Sequence, residues 1–186
     1  MITIAAFENE FGEIEILKTR ATGSYIYLQG GCYQTEIDGN GVSLASYVHA
    51  IYGLLAQTKA RDVLMVGCGG GSLGTMLAKA GIQVTIIDNN PASFQIARDH
   101  FGLPETIDCH VADGKEFLRS TRHCYDAIVL DAYKGNCIPH HLCTPNFFRL
   151  AQSRLDQSCG RLFANVHVFH DLDMTPDQYA ATVGNV

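Results

Sequence analysis

The stretch Val63-Leu64-Met65-Val66-Gly67-Cys68-Gly69-Gly70-Gly71-Ser72-Leu73-Gly74 decides the fold of this chain. Its first four residues are apolar without alternation, which predicts a strand buried on both faces, as in a parallel sheet covered by helices. The glycines that follow allow a tight turn, and Met76, Leu77 and Ala80 then continue an apolar pattern typical of a helix. A strand, a glycine-rich turn and a helix in this order predict a Rossmann-like α/β domain.

Strands and helices alternate on the carboxyl side of this stretch. Apolar runs predict strands at 62–66, 83–87, 107–111, 125–130 and 160–166. Helical patterns predict helices at 71–80, 91–100, 113–120 and 145–155. Two of these helices have clear starts, because Asn90-Pro91 and Thr144-Pro145 each place a proline after a capping residue.

Residues 1–42 follow a different pattern, in which polar and apolar residues alternate between glycines at hairpin-like intervals. This pattern predicts a small antiparallel β appendage. Ser43 is then placed to cap a helix whose apolar stripe includes Leu44 and Leu54. We therefore assign 1–42 to the appendage and 43–186 to a Rossmann-like cofactor-binding domain.

The sequence also predicts a last short helix from Thr175-Pro176. A doubly wound sheet usually continues past this point, so we expect that C-terminal strands are missing from the sequence as given.

Composition excludes several classes of partner. With 13 Lys plus Arg and a net charge of -6, the 186 residues contain no basic stripe, so we expect no nucleic-acid partner. No apolar run approaches the length needed to cross a bilayer, which predicts a cytoplasmic protein without a membrane partner. The seven cysteines are odd in number and widely spaced, and are interpreted as reduced core thiols.

The glycine-rich turn is the predicted nucleoside site. At Gly67, Gly69 and Gly71 the backbone can approach a ligand closely, and the following helix offers unpaired N–H groups and a partial positive charge. A Gly-x-Gly-x-x-Gly string is present at Gly69, Gly71 and Gly74, but counting from Gly67 places Ser72 where a dinucleotide fold needs a third Gly or an Ala for helix–strand packing. We therefore rank an S-adenosylmethionine-type cofactor first and a nicotinamide cofactor second.

Three aspartates follow the next strands, where the carboxyl ends of parallel strands gather ligands. Asp88 is placed to bind the ribose hydroxyls, or to cap the helix from Pro91. Asp113 is placed to bind the adenine amino group, or to cap the helix 114–120. Asp131 is placed to take a proton from an attacking amine, or to stabilise its loop.

With these motifs in order, the sequence resembles the polyamine aminopropyltransferase family, the spermidine synthases and their shorter bacterial relatives. The resemblance covers about residues 30–166. It is carried by Tyr33-Gln34, Val63 to Gly71, Ile86-Ile87-Asp88, Ala112 to Leu118, Tyr125 to Tyr133 and Phe147-Phe148. The resemblance implies a fold of the S-adenosylmethionine-dependent methyltransferase type with a small N-terminal β appendage, and a homodimer.

The resemblance also implies roles for individual residues. Gln34 would contact the sulfonium side of the cofactor, and Asp131 would be the catalytic acid/base. Tyr47 is similar to the active-site tyrosine of the family, although it is equally interpreted as a core aromatic of its helix. The implied donor is decarboxylated S-adenosylmethionine, and the implied partner is a small amine that receives an aminopropyl group.

The sequence departs from the family at three positions. Ser72 and Lys134 stand where spermidine synthases have aspartates, and Val48 replaces a glutamine. A diamine carries positive charges that need carboxylates in place of water, so we expect an intact cofactor half and an altered polyamine half. Two alternatives remain open: an S-adenosylmethionine-dependent methyltransferase of a small molecule, and a non-catalytic nucleoside-binding protein.

Two clusters in the sequence contain residue types that can bind a metal ion. Cys137, His140, His141 and Cys143 lie within seven residues, and His167, His170, Asp171 and Asp173 follow the last strand. Neither spacing is typical of a zinc site. We expect no metal, a gating loop in the first case and a solvated polar loop in the second.

Overall fold

The computed structural model describes residues 1–184, which form nine strands and six α-helices. In chain order the strands are β1 (Ile2–Asn9), β2 (Gly12–Lys18), β3 (Tyr25–Gln29), β4 (Cys32–Ile37), β5 (Asp62–Val66), β6 (Gln83–Asp88), β7 (Asp108–Val111), β8 (Ala127–Leu130) and β9 (Arg161–Ala164). The helices are α1 (Ser46–Gln57), α2 (Ser72–Lys79), α3 (Pro91–Phe101), α4 (Gly114–Ser120), α5 (Pro145–Gln152) and α6 (Thr175–Gly184).

The central sheet has five parallel strands in the order β7-β6-β5-β8-β9. The chain runs outward from β5 to β7 and then returns to β8 on the other side of β5. This reversal places a crevice beyond the carboxyl ends of β5 and β8, which is where open α/β sheets bind ligands.

Helices cover both faces of this sheet, and the alternation of side chains along β5 separates the two cores. Val63 and Met65 pack with buried residues of α1, α2 and α3, whereas Leu64 and Val66 pack with buried residues of α4 and α5. Both faces of the strand are thus removed from water, which explains its unbroken apolar sequence.

The N-terminal strands form a separate antiparallel sheet in the order β1-β2-β3-β4. Its buried face, which includes Ile14 and Tyr27, packs against Ile96 and Phe101 of α3. The first sheet is therefore attached to the helix that follows β6, and its carboxyl-terminal strand β4 reaches the glycine-rich turn.

The strands and helices lie close to the segments that the sequence predicts, and both proline-containing starts are confirmed. The side chain of Asn90 accepts a hydrogen bond from the N–H of Ala92, and that of Thr144 accepts one from the N–H of Phe147. A helix from Thr175 is also confirmed. The parallel sheet and the antiparallel N-terminal sheet confirm the predicted fold.

The start of α1 was predicted wrongly. The helix begins after Ala45, and Ser43 instead pairs with Ile37 in a bridge while its carbonyl contacts the His49 ring. Leu44 and Leu54 are exposed, so they are not part of the buried stripe. The apolar spacing alone could not reveal that β4 holds the segment before the helix in an extended form.

The cysteines also differ from the expectation. All seven are free thiols, but Cys68 is the only one that is fully buried, while Cys124, Cys137 and Cys159 are exposed. These three cysteines lie in connecting segments at the surface and not in strands. Among the helices of residues 1–184, none combines the length and the apolarity needed to cross a membrane.

Candidate functional site

The glycine-rich turn joins β5 to α2 in a conformation that requires glycine. Gly67 has a φ of +103°, and a Cβ there would lie 2.1 Å from the carbonyl oxygen of Asp131. Gly69 also has a positive φ, and Gly70 donates its N–H to the Thr35 hydroxyl of β4 at 2.7 Å. The turn is thus held between β8 and the N-terminal sheet, with its backbone close to both.

Asp88 at the end of β6 points toward this turn. Its Oδ2 accepts the N–H of Cys68 at 2.8 Å, and its Oδ1 accepts the N–H of Asn90 at 2.8 Å and the hydroxyl of Ser93 at 3.3 Å. Burial raises the pKa of Asp88, although these hydrogen bonds to Asn90, Cys68 and Ser93 act in the opposite direction. The carboxylate is therefore anchored to the turn while it faces a cavity.

Two cavities meet at the carboxyl edge of the sheet. The Asp88 cavity, of about 510 Å³, is lined by Gly67, Asp88 and Asp113 among others. The Tyr47 cavity, of about 760 Å³, is lined by Tyr47 and by residues of β4 and α2. Both volumes lie in the range of small-molecule sites. Gln34, Cys68, Gly69, Asp131, Tyr133 and Gly135 line both cavities.

Asp131 lies at this boundary, directly after β8, and is held by two donors. The Tyr47 hydroxyl donates to its Oδ2 at 3.2 Å, and the Asn165 amide donates to its Oδ1 at 2.9 Å. Burial raises the pKa of Asp131, and the hydrogen bonds from Asn165 and Tyr47 moderate that rise. A buried carboxylate with a raised pKa at a cavity boundary is suited to proton transfer.

Tyr47 is therefore more than a core aromatic. Its pKa is raised by burial and by the neighbouring charge of Asp131, so the hydroxyl remains protonated and acts as a donor. The sequence gives Tyr47 and Asp131 as separate candidates, and the fold brings them together from 84 positions apart.

Asp113 does cap α4, because its Oδ1 accepts the N–H groups of Lys115 and Glu116. Its Oδ2 lies 2.6 Å from Nε2 of His141, which belongs to the segment after β8. Partial burial raises the pKa of Asp113, but the hydrogen bonds from Glu116 and His141 outweigh it, and the pKa is lowered. Asp113 lines the Asp88 cavity as an ionised cap.

Two glycines of the glycine-rich stretch, one before α2 and one within it, have packing roles. Gly71 lines neither cavity, and a Cβ there would lie 2.6 Å from Leu103 Cδ1. A Cβ at Gly74 would lie 2.8 Å from Ile86 Cδ1, so Gly74 is the close helix–strand contact. The prediction that Ser72 occupies the packing position is therefore wrong, and the glycine register gives no argument against a dinucleotide.

Of the three departures from the family pattern, Ser72 and Val48 line the Tyr47 cavity and Lys134 lines the Asp88 cavity. Ser72, at the first position of α2, is buried and lines the Tyr47 cavity. Lys134 is exposed and lines the Asp88 cavity, and its ammonium group forms no ion pair with any residue of the described chain.

The Cys137 to Cys143 segment follows β8 and contains a short 3-10 helix, His140–Leu142. Its Pro139, His141 and Leu142 line the Asp88 cavity. Across residues 1–184, no three His, Cys, Asp or Glu side chains form a group that could hold a metal ion.

Sequence reasoning missed three site residues: Thr35, His141 as a partner of Asp113, and Asn165. Asn165 directly follows β9, but the strand predicted at 160–166 includes it, so placing the strand end two residues too late hid the signal that could have identified it. The other two gave no such signal, because their partners come from distant parts of the chain.

Comparisons with known proteins identify relatives of this chain and of its fold. The model of a "Methyltransferase domain" family matches residues 63–153. A polyamine aminopropyltransferase of Vibrio vulnificus is 32% identical over 120 residues, which are 61% of this chain and 40% of that protein. The chain thus spans less than half the length of this curated relative.

Two solved structures share the fold. A spermidine synthase in complex with the transition state analogue AdoDATO has a TM-score of 0.78 at 17% identity, over 100% of this chain and 65% of that chain. Human methyltransferase-like protein 13 in complex with SAH has a TM-score of 0.64 at 24% identity, over 76% and 73%. The fold is therefore the S-adenosylmethionine-dependent methyltransferase type with an N-terminal β-sheet, as the sequence predicts.

Proposed function

Because the chain belongs to the polyamine aminopropyltransferase (spermidine synthase) family, we propose that it transfers an aminopropyl group from decarboxylated S-adenosylmethionine to an amine acceptor. The observation that carries this proposal is the position of Asp131. Its buried carboxylate, held by Tyr47 and Asn165, lies where the two cavities meet. Donor and acceptor must meet at one point for direct transfer, and this is the point that both cavities share.

The Asp88 cavity has features that fit an adenosyl group. Oδ2 of Asp88 has one partner and keeps a lone pair for a ribose hydroxyl, and the long Ser93 contact on Oδ1 can yield to the second hydroxyl. Gly67 and Gly69 leave the backbone uncovered beside it. We assign Asp113 to the adenine end and Gln34, which lines both cavities, to the sulfonium end.

The reaction needs a neutral acceptor nitrogen and a place for its proton. The lone pair of the nitrogen forms a C–N bond to the aminopropyl carbon while the C–S bond breaks, and the bonding pair leaves with sulfur as a neutral thioether. Asp131 accepts the proton that the new ammonium loses, which requires its ionised form. Tyr47 and Asn165 orient the carboxylate and favour that form by hydrogen bonding.

The proposal gives each sheet a task. Residues 1–42 act as the appendage that supplies Gln34 and Thr35, and 43–186 act as the catalytic domain. The seven free thiols are consistent with work in the reducing cytoplasm.

One observation favours methyl transfer as the second candidate. Ser72 places a neutral side chain at the start of α2 in the Tyr47 cavity, so no carboxylate there selects the free amine of the decarboxylated donor. Ordinary S-adenosylmethionine, which carries a carboxylate of its own, would meet less repulsion at this position. The third candidate, a non-catalytic nucleoside-binding protein, differs from both in releasing no product.

Calorimetry on the purified chain tests these candidates with S-adenosylmethionine, its decarboxylated form, methylthioadenosine and NAD. Aminopropyl transfer predicts preference for the decarboxylated form, together with release of methylthioadenosine when amines are added. Preference for S-adenosylmethionine with release of S-adenosylhomocysteine would replace the proposal by methyl transfer. Preference for NAD would reject the adenosyl-sulfonium assignment altogether.

A further inference from the structure

The Tyr47 cavity has an unusual charge inventory for a site that would hold an amine. Among the described residues that line it, Asp131 is the only carboxylate. Three polar side chains surround this carboxylate. Tyr47 and Asn165 donate hydrogen bonds to Asp131, and the Tyr133 hydroxyl donates to the Asn165 backbone carbonyl at 2.7 Å. The cavity therefore has one anionic end.

The rest of the cavity wall combines apolar side chains with polar ones that carry no negative charge, among them Gln34, Ser72, Asn136 and His167. Val48, Met65 and Leu73 line it from α1, β5 and α2, and each is almost fully buried in the core between the sheet and these helices. Val166 and Val168, which follow β9, also line this cavity. An alkyl group gains free energy by leaving water for such a surface, whereas a second ammonium group loses hydration without a compensating charge.

We propose that the acceptor is a primary monoamine with an apolar tail rather than a diamine. This inference rests on the proposed transferase function and specifies the substrate of the same site. The amine nitrogen lies at Asp131, where it loses its proton, and the tail extends along Val48, Met65 and Leu73.

The bonds balance for a monoamine as they do for any amine. The acceptor nitrogen forms one C–N bond to the aminopropyl carbon, the C–S bond of the donor breaks, and the pair of electrons remains on sulfur. The product is a secondary amine with one aminopropyl arm, and its released proton passes to Asp131 and then to solvent.

The test compares two acceptors of equal size on the unaltered chain. Pentan-1-amine differs from butane-1,4-diamine by a methyl group in place of the second amino group. With decarboxylated S-adenosylmethionine as donor, release of methylthioadenosine gives kcat/KM for each. We expect kcat/KM to be at least tenfold higher for pentan-1-amine. A factor of ten corresponds to about 1.4 kcal/mol, which is a small part of the cost of an unpaired buried charge.

A matched pair of variants tests the structural cause. Val168 is half exposed and lines the cavity, so Val168→Asp adds a carboxylate to it without disturbing the core. Val183→Asp makes the same change at an exposed position of α6 that lines neither cavity. We expect Val168→Asp to shift the ratio toward the diamine roughly tenfold, and Val183→Asp to leave the ratio unchanged.

The possible results distinguish a failure of the monoamine inference from a failure of the proposed transferase function. If methylthioadenosine is released but the diamine is preferred by the unaltered chain, the monoamine inference is overturned while the transferase function stands. If no amine releases methylthioadenosine although the donor binds, the proposed function itself fails. An equal shift in both variants would assign the effect to net charge and would overturn the role of the cavity.

Discussion

The Thr35 hydroxyl accepts a hydrogen bond of 2.7 Å from the buried N–H of Gly70. The same hydroxyl donates to the carbonyl of Gln34 at 2.7 Å. One side chain of the N-terminal sheet thus contacts both the glycine-rich turn and the backbone of Gln34, one of the residues that line both cavities. The two sheets are coupled at the point where the proposed donor binds.

Thr35→Val tests this coupling, since valine keeps the shape of threonine and removes the hydroxyl. The buried N–H of Gly70 loses its partner, so we expect the free energy of unfolding to fall by about 1–3 kcal/mol in urea denaturation. Methylthioadenosine binding, measured by calorimetry, should weaken as well. Thr3→Val on exposed β1 is the control, because the Thr3 hydroxyl has no hydrogen-bond partner within residues 1–184. Equal losses of unfolding free energy in the two variants would contradict the coupling.

This pairing illustrates what the sequence could and could not predict. The ends of β5, β6 and β8 were predictable, because long apolar runs mark parallel strands and the residues after them gather at one edge. The Thr35–Gly70 contact joins a strand of the first sheet to the turn after β5, 35 positions away. No periodicity carries that information, since it depends on how the first sheet packs against α3.

Tyr47→Phe is expected to raise the pKa of Asp131 further. The Tyr47 hydroxyl stabilises the ionised carboxylate, so its removal favours the protonated form. Titration of ¹³C-aspartate-labelled protein by NMR measures this shift directly, with the Asp131 signal assigned from its absence in Asp131→Asn. Tyr52→Phe on the same helix is the control, and an unchanged Asp131 pKa in Tyr47→Phe would refute the role.

Asp131→Asn should abolish transfer and stabilise the fold. The folded-state pKa of Asp131 is raised by burial, so above that pKa the fold carries a buried charge that the unfolded chain would hold in water. Removing the charge should increase the free energy of unfolding by about 1 kcal/mol near neutral pH, or about 2–4 °C in melting temperature.

The stability gain of Asp131→Asn should depend on pH. As the pH falls through the raised pKa, the unaltered Asp131 becomes protonated, so the advantage of Asp131→Asn should decline and vanish below the pKa of the unfolded carboxyl, about 4. Thermal melts at several pH values measure this. A gain that persists at low pH would assign the stabilisation to packing instead of charge.

Gly67→Ala should destabilise the fold severely, by about 3 kcal/mol or more. Its Cβ would lie 2.1 Å from the Asp131 carbonyl oxygen, at a φ of +103° that alanine rarely adopts, so β8 or the turn must shift. Gly81→Ala is the matched control, because Gly81 has a φ of +79° but open space around it, and should cost about 1 kcal/mol. Similar losses in urea denaturation would contradict the close approach.

The candidate site was predictable only in part for a related reason. Asp88, Asp113 and Asp131 all follow strands, and the structure places each of them at a cavity. Their partners were not predictable, since His141 reaches Asp113 through a segment without strand or helix periodicity. Gly71 and Gly74 were also not predictable in this respect. The sequence shows where the glycines are, but not which of them line a cavity and which pack against neighbouring side chains.

The double variant Ser72→Asp/Lys134→Asp tests the altered acceptor half. It adds a carboxylate at the start of α2, where the helix N-terminus favours negative charge, and it replaces the unpaired cation of Lys134, which lines the Asp88 cavity. Use of butane-1,4-diamine should rise roughly fivefold or more relative to pentan-1-amine, as a gain of about 1 kcal/mol implies. Lys59→Asp, which repeats the lysine-to-aspartate change of Lys134→Asp at an exposed site that lines neither cavity, should not alter this ratio. If the double variant also leaves it unchanged, the charges at these two positions do not set the acceptor preference, and the polyamine half of the site must differ through its shape.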